Sequence, residues 1–206
     1  MLQNQAEADA YNAKYGENSH PGDLIFVDTN EDGVITSDDR TKIGKPTPDW
    51  TYGLNLNADW KGFDFNVFFQ GVSGADIFDA TRRQDIESGN YPTWVLDRWT
   101  GEGTSNKLPL LKLGDSKNWV YSDIYVQDGS YLRLKNIALG YTLPRNLTKK
   151  VNIDRFRVYV RAENLFTWTK YWGFDPEIGS GSTSMGVDYG VYPQARIFTV
   201  GFNLSL

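Results

Sequence analysis

The sequence predicts an all-β chain: an antiparallel transmembrane β-barrel segment of about five strands, with long loops at one end. Three observations predict it. Between Trp50 and Trp60 the chain reads WTYGLNLNADW, and every second residue is apolar. Four later runs also alternate, one of them with a break in phase. The connections between the runs alternate in length, short then long, as they do in an outer-membrane barrel.

The first strand carries Trp50, Tyr52, Leu54, Leu56, Ala58 and Trp60 on one face, with Thr51, Gly53, Asn55, Asn57 and Asp59 on the other. Eleven residues at ~3.3 Å per residue span roughly 33 Å, and a tilt of about 45° reduces this to about 24 Å. That matches the ~25 Å apolar band of a barrel wall, and the two tryptophans would stand in its aromatic girdles. A soluble sheet also alternates, so the remaining elements must decide.

Lys61-Gly62 reads as a two-residue reversal. A second strand follows at once, with Phe63, Phe65, Val67 and Phe69 on one face and Asp64, Asn66 and Gln70 mostly on the other. Residues 73–127 form a long connection with a short helix expected near Pro92–Trp99. A connection of that length counts against a compact soluble domain but is ordinary at one end of a barrel.

The third strand, about 130–143, breaks phase. Leu132 and Leu134 share one parity, whereas Ile137, Leu139, Tyr141 and Leu143 share the other. Either a bulge lies near Asn136, or Arg133 and Lys135 face outward above the bilayer. After a turn at 144–154, the fourth strand sets Phe156, Val158, Val160 and Ala162 against Arg157, Tyr159, Arg161 and Glu163. Loop 169–193 is rich in Gly, Ser and Tyr, and the fifth strand sends Phe198, Val200, Phe202, Leu204 and Leu206 outward.

Composition agrees. The chain has 206 residues and abundant aromatics (7 Trp, 12 Tyr, 11 Phe), yet its mean hydropathy is −0.49. No run of ~20 apolar residues is present for a membrane-spanning helix, whereas alternating strands escape a hydropathy average. A formal charge of −5 argues against nucleic acid as a partner. The absence of cysteine excludes disulfides, thiolate-bound zinc and thiol catalysis. The first residues, MLQNQAEADAYNAKYG, are polar and weakly helical, without the basic-then-apolar order of a signal peptide. Two readings follow, a cytoplasmic chain or the tail of a longer exported protein, and the strand pattern favours the second.

Connection lengths also give a direction. Short turns at 61–62 and 144–154 lie at one end, and long loops at 73–127 and 169–193 at the other. Bacterial barrels keep short turns in the periplasm, which makes residues 1–49 an extracellular region and 50–206 the strand-bearing part.

The segments DGSYLRLKNIALGYTLP (128–144) and VYVRAENLFTWTKYWGFDPE (158–177) closely resemble SusC/RagA-family TonB-linked outer-membrane proteins. PGDLIFVDTNEDGVITSDDR, IGKPTPDWTYG and VLDRWTGEG are similar to the same family's C-terminal region. The resemblance implies a large outer-membrane transporter with an N-terminal plug inside a barrel of about 22 strands. It further implies import of oligosaccharides or peptides beneath a SusD-type surface lipoprotein, driven by TonB. No plug and no TonB box occur in these residues, so the chain reads as a C-terminal fragment with about five strands in contact with outer-membrane lipid. On this reading no enzymatic activity is expected.

One segment carries local chemistry. Residues 28–39, DTNEDGVITSDD, follow the twelve-position calcium-loop pattern. Asp28, Asn30 and Asp32 take positions 1, 3 and 5. Gly33 takes the sharp turn, Val34 would offer a carbonyl, and Ile35 would anchor the loop in apolar packing. Thr36 stands at position 9 and Asp39 at 12, where a longer Glu is usual; the Asp is like the dockerin variant. Oxygen ligands alone favour Ca²⁺, in a structural role. The alternative is a metal-free loop whose Asp and Asn side chains cap their own backbone.

The remaining candidates have plainer readings. His20, the only histidine, precedes Pro21 and reads as a surface residue. Asp175 and Glu177 are too close in sequence to flank a sugar as a glycosidase pair. Arg157, Arg161 and Glu163 could meet solute or plug, or merely pair with neighbouring strands. Tyr171, Trp172, Phe174, Tyr189 and Tyr192 could stack on sugars, dock a lid, or pack their own loop. The rival to a transporter is a soluble calcium-binding β-module, dockerin-like or carbohydrate-binding, although only one calcium repeat is present.

Overall fold

The computed structural model describes residues 1–82, 90–112, 114, 115, 117–179 and 184–206. Residues 83–89, 113 and 116 of the expected long connection, and 180–183 of the expected loop, lie outside the described residues. The chain divides into two compact units, one of residues 1–44 with 80–126 and one of 45–79 with 127–206.

In the first unit, α1 (Gln5–Tyr15) begins where Asn4 accepts the Glu7 amide and ends at Gly16, whose φ of 65° reverses the chain. The weakly helical start of the chain forms this element. Its Ala8 and Tyr11 are buried with Leu2, and Tyr15 and Ile35 pack against them. A second anchor is polar. Asp23 and Asn118 are buried; the Asn118 amide donates to Asp23 (2.9 Å) and its carbonyl accepts the Leu24 amide (2.8 Å). Lys112 reaches the same carboxylate at 2.6 Å. Burial pushes the Asp23 carboxyl up, but the bonds from Asn118, Lys112 and the His20 amide outweigh it and leave it below the usual carboxylate range. The helix expected near Pro92–Trp99 is a 3₁₀ turn at Thr93–Asp97.

The second unit is built on five antiparallel strands in the order β1-β2-β5-β6-β8: β1 (Trp50–Trp60), β2 (Phe63–Ser73), β5 (Tyr131–Thr142), β6 (Arg155–Thr169) and β8 (Ile197–Ser205). All five expected strands form, each paired with its predecessor. Lys61 (φ 48°) and Gly62 (φ 89°) both adopt left-handed backbone, the signature of a two-residue turn that follows the twist of a hairpin. A Cβ on Gly62 would lie 2.9 Å from the Thr142 carbonyl, so the turn admits little else.

The phase break in β5 is a bulge. Phe69 pairs with Leu134 and Phe68 with Asn136, which leaves Lys135 without a partner on β2. The β5–β6 ladder shifts at the same point, beside Asn164 with its φ of 52°. Beyond the bulge, Ile137, Leu139 and Tyr141 therefore return to the face of Leu132 and Leu134. Arg133 does not face outward: it is 2% exposed, on the opposite face.

One face of the sheet is thus apolar from edge to edge. It carries every second residue from Trp50 to Trp60 of β1, Phe63, Phe65, Val67 and Phe69 of β2, the β5 set, every second residue from Phe156 to Ala162 with Phe166 and Trp168 of β6, and every second residue from Phe198 to Leu204 of β8. Many of these side chains are open to the surroundings, among them Trp50, Val200 and Phe202. Aromatic contacts close both ends: Phe63–Tyr141 and Phe156–Phe202 near the short turns, Phe69–Trp168 and Phe166–Trp168 at the other. Among the described residues no helix is long and apolar enough to cross a membrane.

Two features lie beyond the expected strands. The 144–154 turn contains a short helix, α2 (Arg145–Thr148), and ends at Asn152 with φ 54°. A small second sheet, β4-β3-β7, is made by β3 (Asp76–Asp79), β4 (Val126–Asp128) and β7 (Val187–Asp188), with β3 and β7 parallel. Runs of two to four residues carry no period that a sequence can display.

Candidate functional site

Opposite the apolar face, polar side chains are tied into rows. Arg161 Nε donates to Asn136 Oδ1 (2.6 Å), Asn136 Nδ2 to Asn66 Oδ1 (2.5 Å), and Asn66 Nδ2 to Asn55 and Asn57 (2.8 and 2.7 Å). Asn136 and Asn66 each accept on one side and donate on the other, so a single row crosses β6, β5, β2 and β1. Glu163 pairs with the free edge of Arg161 at 2.8 Å.

Nearer the short turns, Arg157 grips Asp64 with two parallel bonds, Nε to Oδ1 at 2.8 Å and Nη2 to Oδ2, and lies over the Tyr159 ring. The two residues belong to β6 and β2, with β5 between them. Gly140 makes that bridge possible, since a Cβ there would stand 2.4 Å from Arg157 Nη2 and 2.5 Å from Asp64 Oδ1.

The far end of the polar face holds a quartet. Arg133 directs Nη2 to Asp175, Nη1 to Glu177 (2.8 Å) and Nε to Thr167 Oγ1 (2.9 Å). Lys135 clasps both Glu177 oxygens at 2.9 and 2.7 Å. Asp175 also accepts the Glu177 amide (2.8 Å) and the Gln194 amide (2.9 Å). Asp175 and Glu177 are therefore ion-pair partners of the wall. Arg133 and Lys135 were the residues sequence reasoning left between two alternatives; their spacing beside the phase break was the available signal.

In loop 28–39, Asp28 accepts the Asp32 and Gly33 amides (3.2 and 2.9 Å), Asn30 accepts the Asp32 amide (3.1 Å), and Asp32 accepts the Val34 amide (3.0 Å). Gly33 holds φ 86°, and Ile35 packs on the α1 cluster. Asp39 accepts the Thr36 amide (2.7 Å) and the Thr29 amide (2.9 Å), while Thr36 Oγ1 caps Asp38 (3.2 Å). Those backbone amides hold the Asp39 carboxyl below the usual carboxylate range. Asp28, Asn30 and Asp32 thus share one turn, and Asp39 closes the loop's ends. Among the described residues no three His, Cys, Asp or Glu side chains converge on a common point.

His20 is exposed and lies 3.7 Å from Asp23. The five loop aromatics divide. Tyr171 is buried and donates to Asp188, whereas Trp172, Phe174, Tyr189 and Tyr192 are open to the surroundings.

No protein-family model matches the chain. Over 91% of its length it is 37% identical to TonB-dependent receptor P3 of Formosa agariphila. Over 95% it is 32% identical to TonB-dependent receptor SusC of Bacteroides thetaiotaomicron. In each case it spans 19% of the relative. Among solved structures it superimposes on a chain of the RagAB peptide importer in the open-open state, with a TM-score of 0.68 and 33% identity. That match covers 84% of this chain and 19% of the other. The chain accordingly spans about a fifth of the length of the relatives it matches.

Proposed function

Since the chain corresponds to a segment of the TonB-dependent receptors of the SusC/RagA family, which are outer-membrane proteins, we propose that it supplies consecutive wall strands of an outer-membrane importer. The importer takes up oligosaccharides or peptides, works beneath a SusD-type lipoprotein and draws energy through TonB; this segment has no catalytic role. The observation that carries this reading is the unbroken apolar face, set back to back with a hydrogen-bonded polar face. Lipid covers the first and a wet lumen the second. A soluble calcium module would instead have to bury its apolar face against a second layer.

The test is deletion of the whole receptor gene in its host, with growth measured on oligosaccharides and on peptides as sole nutrients. Loss of growth on one class, with co-purification of a surface lipoprotein, supports the proposal. Unchanged growth on both, or a receptor recovered from the soluble fraction, overturns it.

We also propose that loop 28–39 holds a structural Ca²⁺ through Asp28, Asn30, Asp32, Val34, Thr36 and Asp39. The twelve-position order, the left-handed Gly33 and the packed Ile35 support it. The hard oxygen donors suit calcium, which the extracellular medium supplies.

A further inference from the structure

We propose that the turn at 144–154 is a lipid anchor, which binds the phosphates of anionic phospholipids in the leaflet at the short-turn end of the wall. The inference rests on the wall reading above, in which lipid covers the apolar face. The turn is a built element. After α2 (Arg145–Thr148) comes a 3₁₀ turn, Lys149–Val151, and Asn152 then reverses the backbone. Thr148 is buried, and its carbonyl accepts the Ile153 amide (3.1 Å). The Asp154 amide donates to the Ser205 carbonyl of β8 (2.9 Å), and the Thr142 amide donates to the Gly62 carbonyl (2.7 Å). The turn is thereby held between the β1–β2 hairpin and β8.

Its apolar side chains have no protein cover. Leu147 and Val151 are 55% and 63% exposed, at the same end of the sheet as Trp60, itself an open side chain of the apolar face. Cations collect at this end too. In the two short turns and the strand ends beside them, Lys61, Arg145, Lys149, Lys150, Arg155 and Arg157 stand against Asp59, Asp64 and Asp154, in a chain whose net charge is −5. Arg157 is taken by Asp64, and Arg145 reaches Asp154 (3.5 Å). Lys149 and Lys150 are exposed, and among the described residues neither ammonium has a carboxylate partner. Lys61 Nζ lies 4.8 Å from the centre of the Trp60 ring. Open aliphatic side chains beside lysines and an interfacial tryptophan suit the headgroup level of a bilayer, where apolar groups reach the acyl boundary and ammonium groups extend to phosphate. A surface without net charge would cover Leu147 and Val151 but leave the lysines unanswered, whereas an anionic one satisfies both.

Hydrogen exchange on the whole receptor in phosphatidylcholine nanodiscs, with and without phosphatidylglycerol, tests it. The Thr148, Asn152 and Ile153 amides are each bonded within the turn. With phosphatidylglycerol present they are expected to exchange about tenfold more slowly, the combined effect of two lysines at an anionic surface. High salt removes the difference. Lys149→Gln with Lys150→Gln also removes it, and Lys149→Arg with Lys150→Arg keeps it. Equal exchange in both nanodiscs overturns the anchor. So does slowing that persists in the glutamine variant, or slowing by lipopolysaccharide but not by phosphatidylglycerol. A receptor that enters neither bilayer overturns instead the wall reading on which the anchor rests.

Discussion

Leu134 and Asn136 are separated by one residue and yet lie on opposite faces of the sheet, Leu134 opposite Phe69 and Asn136 opposite Phe68. Regular strand geometry would put them on the same face. Lys135, the extra residue between them, reverses the parity, so that β5 remains apolar on one side although its sequence changes phase halfway.

Deleting Lys135 should therefore be tolerated. Leu134 and Asn136 then become neighbours and keep their opposite faces as regular strand positions opposite Phe69 and Phe68. Arg133 stays on the polar side, and Ile137, Leu139 and Tyr141 stay on the apolar side. The whole receptor lacking Lys135 is expected to keep the heat-resistant compact band on cold electrophoresis, as is Lys135→Ala; loss of the band in the deletion alone would show that the bulge itself is required.

Gly140→Ala and Asp64→Asn should remove the same interaction. Alanine at 140 drives Arg157 from Asp64, and asparagine removes its charge partner. The pair is partly exposed, so each change is expected to cost about 0.2–1 kcal/mol. In urea unfolding of the receptor in detergent, the double variant should equal either single one, not their sum.

The bonds around Asp23 set an acid limit on the first unit. Its carboxyl lies below its ordinary value in the folded chain, so its stabilisation is complete above the unfolded value of about 3.9. That stabilisation is lost as pH falls through the lower folded value. Exchange of the Leu24 and His20 amides, corrected for intrinsic rate, should stay protected between pH 5 and 7 and rise only in stronger acid. Asp23→Asn should remove protection at every pH.

Calcium should protect residues 28–39 of the whole receptor from proteolysis at millimolar concentration, the weak end of the range for extracellular sites. Asp28→Ala is expected to abolish the difference between added calcium and chelator. Equal cleavage of the unaltered receptor in both conditions would refute the site.

Expressed by itself, the 206-residue chain should aggregate or require detergent. Trp50, Phe198, Val200 and Phe202 are each at least two-thirds exposed, and β1 and β8 both present unpaired edges. A monodisperse, cooperatively folding monomer in plain buffer, seen by light scattering, would contradict this.

The sequence by itself determined the five strands, their faces and the hairpin at Lys61-Gly62. Period-2 alternation over nine or more residues is a local signal, and both turn residues announce their own backbone. It also determined the order of the loop 28–39 side chains and marked a fault near Asn136. Only the tertiary structure decided what the fault was: whether Arg133 turned outward or inward depended on Asp175 and Glu177, some forty residues away. The same holds for Asp64 with Arg157 across Gly140, for Asp23 with Asn118, and for the parallel pairing of β3 with β7. Such contacts join residues far apart in the chain, and their energy lies in partners that no local pattern names. Local periodicity made the wall legible, whereas its attachments became visible only when distant charges were brought together.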